Sequence, residues 1–235
     1  MNTSDDSLYE LRIYAIAPGR LEDMARRFRD DIKTLFPRHG IRIIGSWTCY
    51  SGPKMPAFVY LMRWKNFEER AAAFGSFVAD PDWHEARERT NGPSELVEHY
   101  EIQFLRGLDT GELSEPMPLS AGETYELALH CAANGRAAAM RETLMKYDLA
   151  ARSQAGAKVI GVFEGISGSR LPSLVSLVRW NDANQWLNAQ SAIRDDARHV
   201  ERIAEEIRVE GRSILAEADR YIMQPVEVHW DVRAL

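Results

Sequence analysis

The chain repeats itself once, at a fixed offset of 116 positions. Tyr9-Glu10-Leu11 recurs as Tyr125-Glu126-Leu127, Gly19-Arg20 as Gly135-Arg136, and Ile44-Gly45 as Ile160-Gly161. Gly40 matches Gly156, Ser51-Gly52 matches Ser167-Gly168, Pro56 matches Pro172 and Arg63-Trp64 matches Arg179-Trp180, with no gap from position 9 to 64. Two copies are too few for a solenoid, so the pattern reads as a duplicated domain. Between the copies, Gly107 to Gly122 is rich in glycine, proline and acidic residues without hydrophobic period, the composition of a linker. The expected organisation is a disordered N-terminal tail at 1–7, one domain at 8–106, a linker at 107–122, a second domain at 123–225 and a strand-like tail at 226–235.

Each copy reads in the same order. Leu8 to Ile16 alternates Tyr9, Leu11 and Ile13 with Glu10, Arg12 and Tyr14, the period of a strand with two different faces. After Pro18-Gly19, the apolar residues Met24, Ala25, Phe28, Ile32 and Leu35 follow helical spacing until Pro37 and Gly40. Ile41 to Tyr50 and Ala57 to Trp64 read as strands. Asn66 to Val78 and Pro81 to Thr90 read as helices, the second opened by Asp80-Pro81, and Leu96 to Leu105 reads as a closing strand. The second copy repeats this with a longer final helix near Arg198 to Arg212. The order β-α-β-β-α-β is the ferredoxin-like unit, whose sheet carries helices on one face only. The fold class expected is α+β: two tandem ferredoxin-like domains whose bare sheet faces meet in one barrel wrapped in helices. The tail Val226 to Val232 alternates like a strand and would clip an edge of this chain or of a second one, a route to a homo-oligomer.

Composition narrows the function classes. Hydrophobic residues make up 45% and charged residues 27% of the 235, an ordinary globular balance. The formal charge of -6 shows no basic surplus for nucleic acid, and no apolar run approaches the ~18 residues that span a bilayer. The polar, acidic start and the two cysteines, Cys49 and Cys131, without a CxxC, point to a cytoplasmic protein with reduced thiols and no structural metal. Phosphate-binding, zincin and nucleophile-elbow motifs are absent, so no cofactor is expected.

The residues resemble those of the NIPSNAP family. Tyr9-Glu10-Leu11-Arg12, Pro18-Gly19-Arg20-Leu21, Gly45-Ser46-Trp47, Arg63-Trp64 followed by Phe67-Glu68-Glu69-Arg70, and Asp80-Pro81-Asp82-Trp83 carry that resemblance. The second copy keeps the opening and Arg179-Trp180 but lacks Asp-Pro-x-Trp, and Gln185-Trp186 stands in place of Glu69-Arg70. The resemblance implies a dimeric α+β barrel made within one chain. That superfamily includes cofactor-free monooxygenases, muconolactone-type isomerases and haem enzymes, and no catalytic assignment carries over from the family.

Candidate chemistry rests on individual residues, each with a structural alternative. His39, at the turn into the second strand, and His84, early in a helix, would each serve as a general base, since an imidazole titrates near neutral pH. Arg12 and Tyr14 share one face of the first strand, with Ala128 and His130 at the matching positions. If that face lines the barrel, Tyr14 and His130 share a cavity; otherwise they are satisfied core polar groups. Arg63 is either an anchor for a carboxylate or enolate, or the ion-pair partner of Glu10, as Arg179 would be of Glu126. Trp47, Tyr50, Tyr60 and Trp64 would bind a flat aromatic ligand or else be plain core. Arg26-Arg27 and the late helix with Glu201, Arg202, Glu205 and Arg208 read as solvated charge. The functional expectation is a cofactor-independent proton-transfer isomerase or lyase, or a monooxygenase, acting on a small hydrophobic or aromatic molecule. The alternative is a non-catalytic ligand-binding or protein-interaction module, and a haem site on His84 or His130 is a third reading.

Overall fold

Both faces of the first strand are buried, which fixes the architecture around it. In the computed structural model, β1 (Leu8–Ile16) sends Tyr9, Leu11 and Ile13 into one apolar cluster and Glu10, Arg12 and Tyr14 toward the helices. The structure describes residues 7–109, 113, 115–168, 170–215 and 218–231. In the first half, β1 is followed by α1 (Leu21–Arg27), a π-helical turn (Phe28–Ile32) and α2 (Lys33–Arg38). Then come β2 (Arg42–Ser51), β3 (Ala57–Trp64), α3 (Phe67–Val78), α4 (Pro81–Asn91) and β4 (Val97–Asp109). The second half repeats the series as β5 (Thr124–Cys131), α5 (Ala137–Thr143), a π-helical turn (Leu144–Asp148), α6 (Leu149–Gln154), β6 (Lys158–Gly165) and β7 (Ser173–Trp180). It ends with α7 (Ala183–Asp195), α8 (Ala197–Glu210) and β8 (Ala218–Pro225).

The strands close into one antiparallel barrel in the order β1-β3-β2-β8-β5-β7-β6-β4. Each half contributes a four-stranded sheet, and the seams are β2 with β8 and β4 with β6. Closure satisfies the backbone groups that two open sheets would leave at their edges. The interior is filled by side chains from both halves, among them Trp47, Tyr125, Phe163, Leu177 and Met223, as barrels of eight strands generally are. The void left there is about 10 Å³, too small for a ligand.

Two glycines make that filling possible. Gly45 and Gly161, one repeat apart, sit at register shifts in β2 and β6. A Cβ at Gly45 would lie 2.7 Å from the Trp47 ring, and one at Gly161 would lie 2.7 Å from the Phe163 ring. The missing side chain lets each aromatic ring fold back along its own strand into the barrel.

Local sequence sets the helix starts. Asn66 and Asp182 accept hydrogen bonds from the amides of Glu69 and Gln185 (2.9 and 2.8 Å), and Asp80 and Asp196 cap α4 and α8 in the same manner. β4 runs beyond the expected Leu105 to Asp109 because its far end pairs with β6 at the seam. The tail differs from its expected strand character over the described residues. From Val226 to Asp231 it forms no strand; Val226 donates to the Ser46 carbonyl (2.9 Å), and Val226, Val228 and Trp230 pack on the first half of the same chain. Val232 and the residues after it, like residues 1–6 of the expected N-terminal tail, lie outside the described residues. Among the described residues, no helix is long and apolar enough to cross a membrane.

Candidate functional site

The outward face of β1 carries a buried charge cluster that supports a pocket. Glu10, fully buried, accepts from Arg12 (2.8 Å), from Arg70 on α3 (3.0 and 3.1 Å) and from the Trp64 indole (3.0 Å). One carboxylate thus stands against two guanidinium groups, leaving a positive surplus. From this base Arg12 reaches on, donating to the hydroxyls of Tyr14 (3.1 Å) and Tyr60 (3.2 Å), which lie 2.6 Å from each other. Arg12 also lies over the Phe74 ring, 4.2 Å from its centroid.

Burial works against the Arg12 charge, but Tyr60, Tyr14 and Glu10 together hold its pKa above the ordinary value. Burial, reinforced by Tyr14, raises the Tyr60 phenol well above its ordinary range. Arg12 is therefore a permanent cation and Tyr60 a permanent donor. With Tyr60 sealed, its proton goes to the Tyr14 oxygen. The proton of half-buried Tyr14 is then directed to whatever occupies the space in front of it.

That space is a pocket of about 580 Å³ between the first-half sheet and its helices. Arg12, Tyr14 and Tyr60 form its polar floor. Phe28 and Ile32 of the π-helical turn, Phe36, Phe74, Phe77 and Trp83 give it aromatic and aliphatic walls. The walls are themselves packed together, with Phe36 edge-on to Phe77 at 5.2 Å and Phe77 tilted against Trp83 at 4.7 Å. Glu95, Glu98, His99 and Tyr100, at and before the start of β4, form the exposed rim, and Arg27 and Arg87 also line the pocket. An apolar chamber with a few convergent polar groups at one end is the usual form of a small-molecule site.

The two halves separate what the fold requires from what the pocket requires. Glu10 is matched by Glu126, which takes Arg152 and Arg220 (2.7 Å each) and the Trp186 indole (3.1 Å). Trp64 and Arg63 are matched by Trp180 and Arg179. The pocket residues are not kept: Ala128, His130 and Ser176 stand where Arg12, Tyr14 and Tyr60 are, and Arg152, Gln190 and His199 replace Phe36, Phe74 and Trp83. The buried carboxylate belongs to the architecture, and the polar floor and aromatic walls belong to the first half.

Of the residues singled out from sequence, Arg12, Tyr14 and Tyr60 meet in this pocket. The others are elsewhere. Trp47 lies in the barrel interior, because odd and even positions of β2 face opposite ways. Tyr50 is exposed and donates to Gln224 (2.6 Å). Trp64 is core and is spent on Glu10. His39 is held between Ser76 and Asp80 (2.7 Å each), tying α2 to the junction of α3 and α4. His84 lies on the exposed surface of α4, over a shallow depression separate from the pocket. Arg63 does not pair with Glu10; it pairs with Glu115 (3.0 Å), and Arg179 pairs with Glu123 (3.1 Å) rather than with Glu126. Arg63 stands opposite Tyr9 and Arg179 opposite Tyr125, on the barrel side of the sheet, whereas Glu10 and Glu126 face the helices.

Tyr14 and His130 do not share a cavity. Each faces the helices of its own half, since the alternate residues of β1 and β5 fill the barrel. His130 is 1% exposed, and both ring nitrogens lack a hydrogen-bond partner. Burial, aided by Arg220, lowers its pKa to about 4. Neither His130 nor His84 offers a nitrogen to the pocket, and no group of three metal-ligating side chains occurs among the described residues.

Arg27 corrects the expectation of a solvated charge, since it is only 4% exposed and lines the pocket. Sequence reasoning also passed over Phe28, Phe36, Phe74, Phe77, Trp83 and the rim residue His99. The available signal was the contrast between matched positions, such as Phe74 with Gln190 and Arg27 with Thr143.

Comparison with solved structures supports the architecture over nearly the whole chain. A candidate monooxygenase from Fusobacterium nucleatum superposes with a TM-score of 0.59 at 9% identity, covering 97% of this chain and 94% of its own. An anthrone oxidase-like protein gives 0.59 at 13% identity, covering 95% and 92%. A candidate monooxygenase from Lactobacillus acidophilus gives 0.54 at 11%, covering 94% of both. At these identities the likeness is one of fold. No curated protein matches the chain. Residues 9–110 match the NIPSNAP family model. The half of the chain that holds the pocket is therefore the half that matches the NIPSNAP family model, and the second half repeats its order of elements.

Proposed function

We propose that the first-half pocket is the site of a cofactor-independent enzyme acting on a small aromatic molecule with an acidic hydroxyl or an enolisable carbonyl. The observation that carries this reading is the Arg12, Tyr14 and Tyr60 cluster at the floor of an aromatic chamber. A permanent cation and a free phenol proton, held at the floor of an apolar-walled pocket, stabilise an oxyanion more strongly than a neutral hydroxyl or carbonyl. A bound phenol or enol accordingly ionises at lower pH than in water, and its proton leaves toward the rim at Glu95, Glu98 or His99.

The anion is the common starting point for two reactions. In an oxygenation it gives an electron to molecular oxygen, and the radical pair combines to a peroxide. Loss of water then leaves a ketone, so that one methylene group and one dioxygen become one carbonyl group and one water. In an isomerisation the same anion is reprotonated at another carbon. Oxygenation is the preferred reading, and the fold neighbours named as candidate monooxygenases and as anthrone oxidase-like suggest anthrone-type compounds as the first to try. The second reading, a binding module without turnover, draws on one observation. Every lining group able to accept a proton at neutral pH lies on the rim rather than on the floor.

The test uses dialysed protein and a panel of anthrones and naphthols in air. Oxygen uptake matched by a product in which a methylene has become a carbonyl is the expected result, with Arg12→Met slowing it at least a hundredfold. Exchange of the acidic carbon hydrogen with deuterium, without oxygen uptake, assigns isomerase chemistry. Tight binding with the compound recovered unchanged and unexchanged assigns the binding module.

A further inference from the structure

Arg27 is a buried cation with no direct ion pair among the described residues, Asp31 and Glu95 acting on it only from a distance. Its Nε donates to Thr90 Oγ1 (2.7 Å) and its Nη2 to Asn91 Oδ1 (2.6 Å), both neutral acceptors on α4. No carboxylate of the described residues lies within ion-pairing distance of it. The nearby Asp31 is engaged by Arg89 (2.5 Å), and Glu95 by Arg87 (2.9 Å) and Asn91 (2.7 Å). Its Nη1 makes no bond within the described residues and is not sealed off, and the side chain lines the pocket beside Trp83, 5.7 Å from that ring.

A guanidinium this deeply buried is costly unless a counter-charge completes it. The cost shows in its basicity: burial, with Arg87 adding to it, lowers the Arg27 pKa to about 10. The fold does not require an arginine here, because the matching position in the second half is Thr143, which is equally buried. Arg27, like Arg12, is thus a feature of the half that has the pocket.

We infer that the ligand of this pocket is an aromatic acid, its carboxylate gripped by Arg27 while its rings lie against the aromatic walls and its hydroxyl or enol oxygen meets the Arg12, Tyr14 and Tyr60 floor. This rests on the pocket reading above and narrows it to substrates with two acidic groups, one permanently ionised and one ionised on binding. A charge-assisted bond from the free Nη1 is the contact that a neutral analogue cannot make.

The experiment is calorimetric titration of the full chain with a set of hydroxynaphthoic acid isomers, their methyl esters and unsubstituted naphthol. At least one acid is expected to bind ten- to a hundredfold more tightly than its ester. Arg27→Gln keeps a donor within reach of Thr90 but is expected to remove the preference for the acid, while Arg27→Lys retains part of it. Thr90→Val loosens the tie to α4 without touching the charge and is expected to leave the preference intact, which separates recognition from a loss of folding. Equal binding of acid and ester, or an undiminished preference in Arg27→Gln, overturns the inference while leaving the pocket reading in place. Failure of acids, esters and naphthol alike overturns both.

Discussion

The hydroxyl oxygens of Tyr14 and Tyr60 lie 2.6 Å apart, on neighbouring strands, under one guanidinium that donates to both. Two phenols this close share a single bridging proton, so one donor is left over. The register that pairs Arg12 with Tyr60 and Tyr14 with Phe58 across β1 and β3 makes the contact diagonal rather than directly opposed.

This pair sets a pH dependence. Tyr60 stays protonated and Arg12 stays charged across the working range, so the group that titrates is the ligand hydroxyl. Its pKa is lower when bound than when free. Affinity for a naphthol should therefore rise with pH between the bound and free values and level off above the free one. Absorbance of the bound naphtholate follows this directly. Tyr14→Phe should weaken binding of the anion about five- to tenfold, the worth of roughly one hydrogen bond of ~1 kcal/mol.

Glu10 and Arg12 are unequal members of their ion pair. Removing Arg12 leaves Glu10 with Arg70 and the Trp64 indole, whereas removing Glu10 leaves two guanidinium groups facing each other. Arg12→Met should fold and lose ligand binding. Glu10→Leu should lose about 3–5 kcal/mol of stability, the usual result of stranding buried charge. Urea unfolding of both variants checks the order, and a Glu10→Leu protein as stable as Arg12→Met would contradict it.

Gly45 tests the barrel packing. Gly45→Ala places a methyl group against the Trp47 ring, which has no free volume to move into. It should cost about 1–3 kcal/mol, as overpacking does. Gly161→Ala should behave alike against Phe163. Thermal unfolding reads both, and a neutral effect at either glycine would show that the interior has room to yield.

His130 gives the second half a distinct acid sensitivity. Its pKa falls from 6.5 to about 4 on folding, principally through burial. The folded protein therefore binds fewer protons than the unfolded chain between these values. The stability is fully present above about pH 6.5 and is lost as pH falls toward 4, by roughly 3 kcal/mol in the limit. His130→Leu should flatten that part of the profile, measured as the difference from wild type in urea midpoints at pH 7, 5.5 and 4.5. Parallel profiles would show that His130 is not buried neutral.

The sequence alone determined the duplication, the order of elements and the closed architecture. Each of these follows from short-range pattern: alternation in strands, helical spacing, capping residues such as Asn66 and Asp80, and the constant offset of the two copies. It also marked Arg12 and Tyr14, because polar groups on an inward strand face need partners, and Tyr60 as aromatic surface for a flat ligand. Only the tertiary structure decided which face of β1 looks inward. Alternation says that Tyr9 and Arg12 point opposite ways, but not which of them meets the other half. That choice filled the barrel with Trp47 and Phe163 and placed the cavity outside it, under the helices. It parted Tyr14 from His130 and turned Arg27 from surface charge into pocket wall. A side chain's role depends on what packs over it, and for Arg27 the cover is α4, more than fifty residues along the chain.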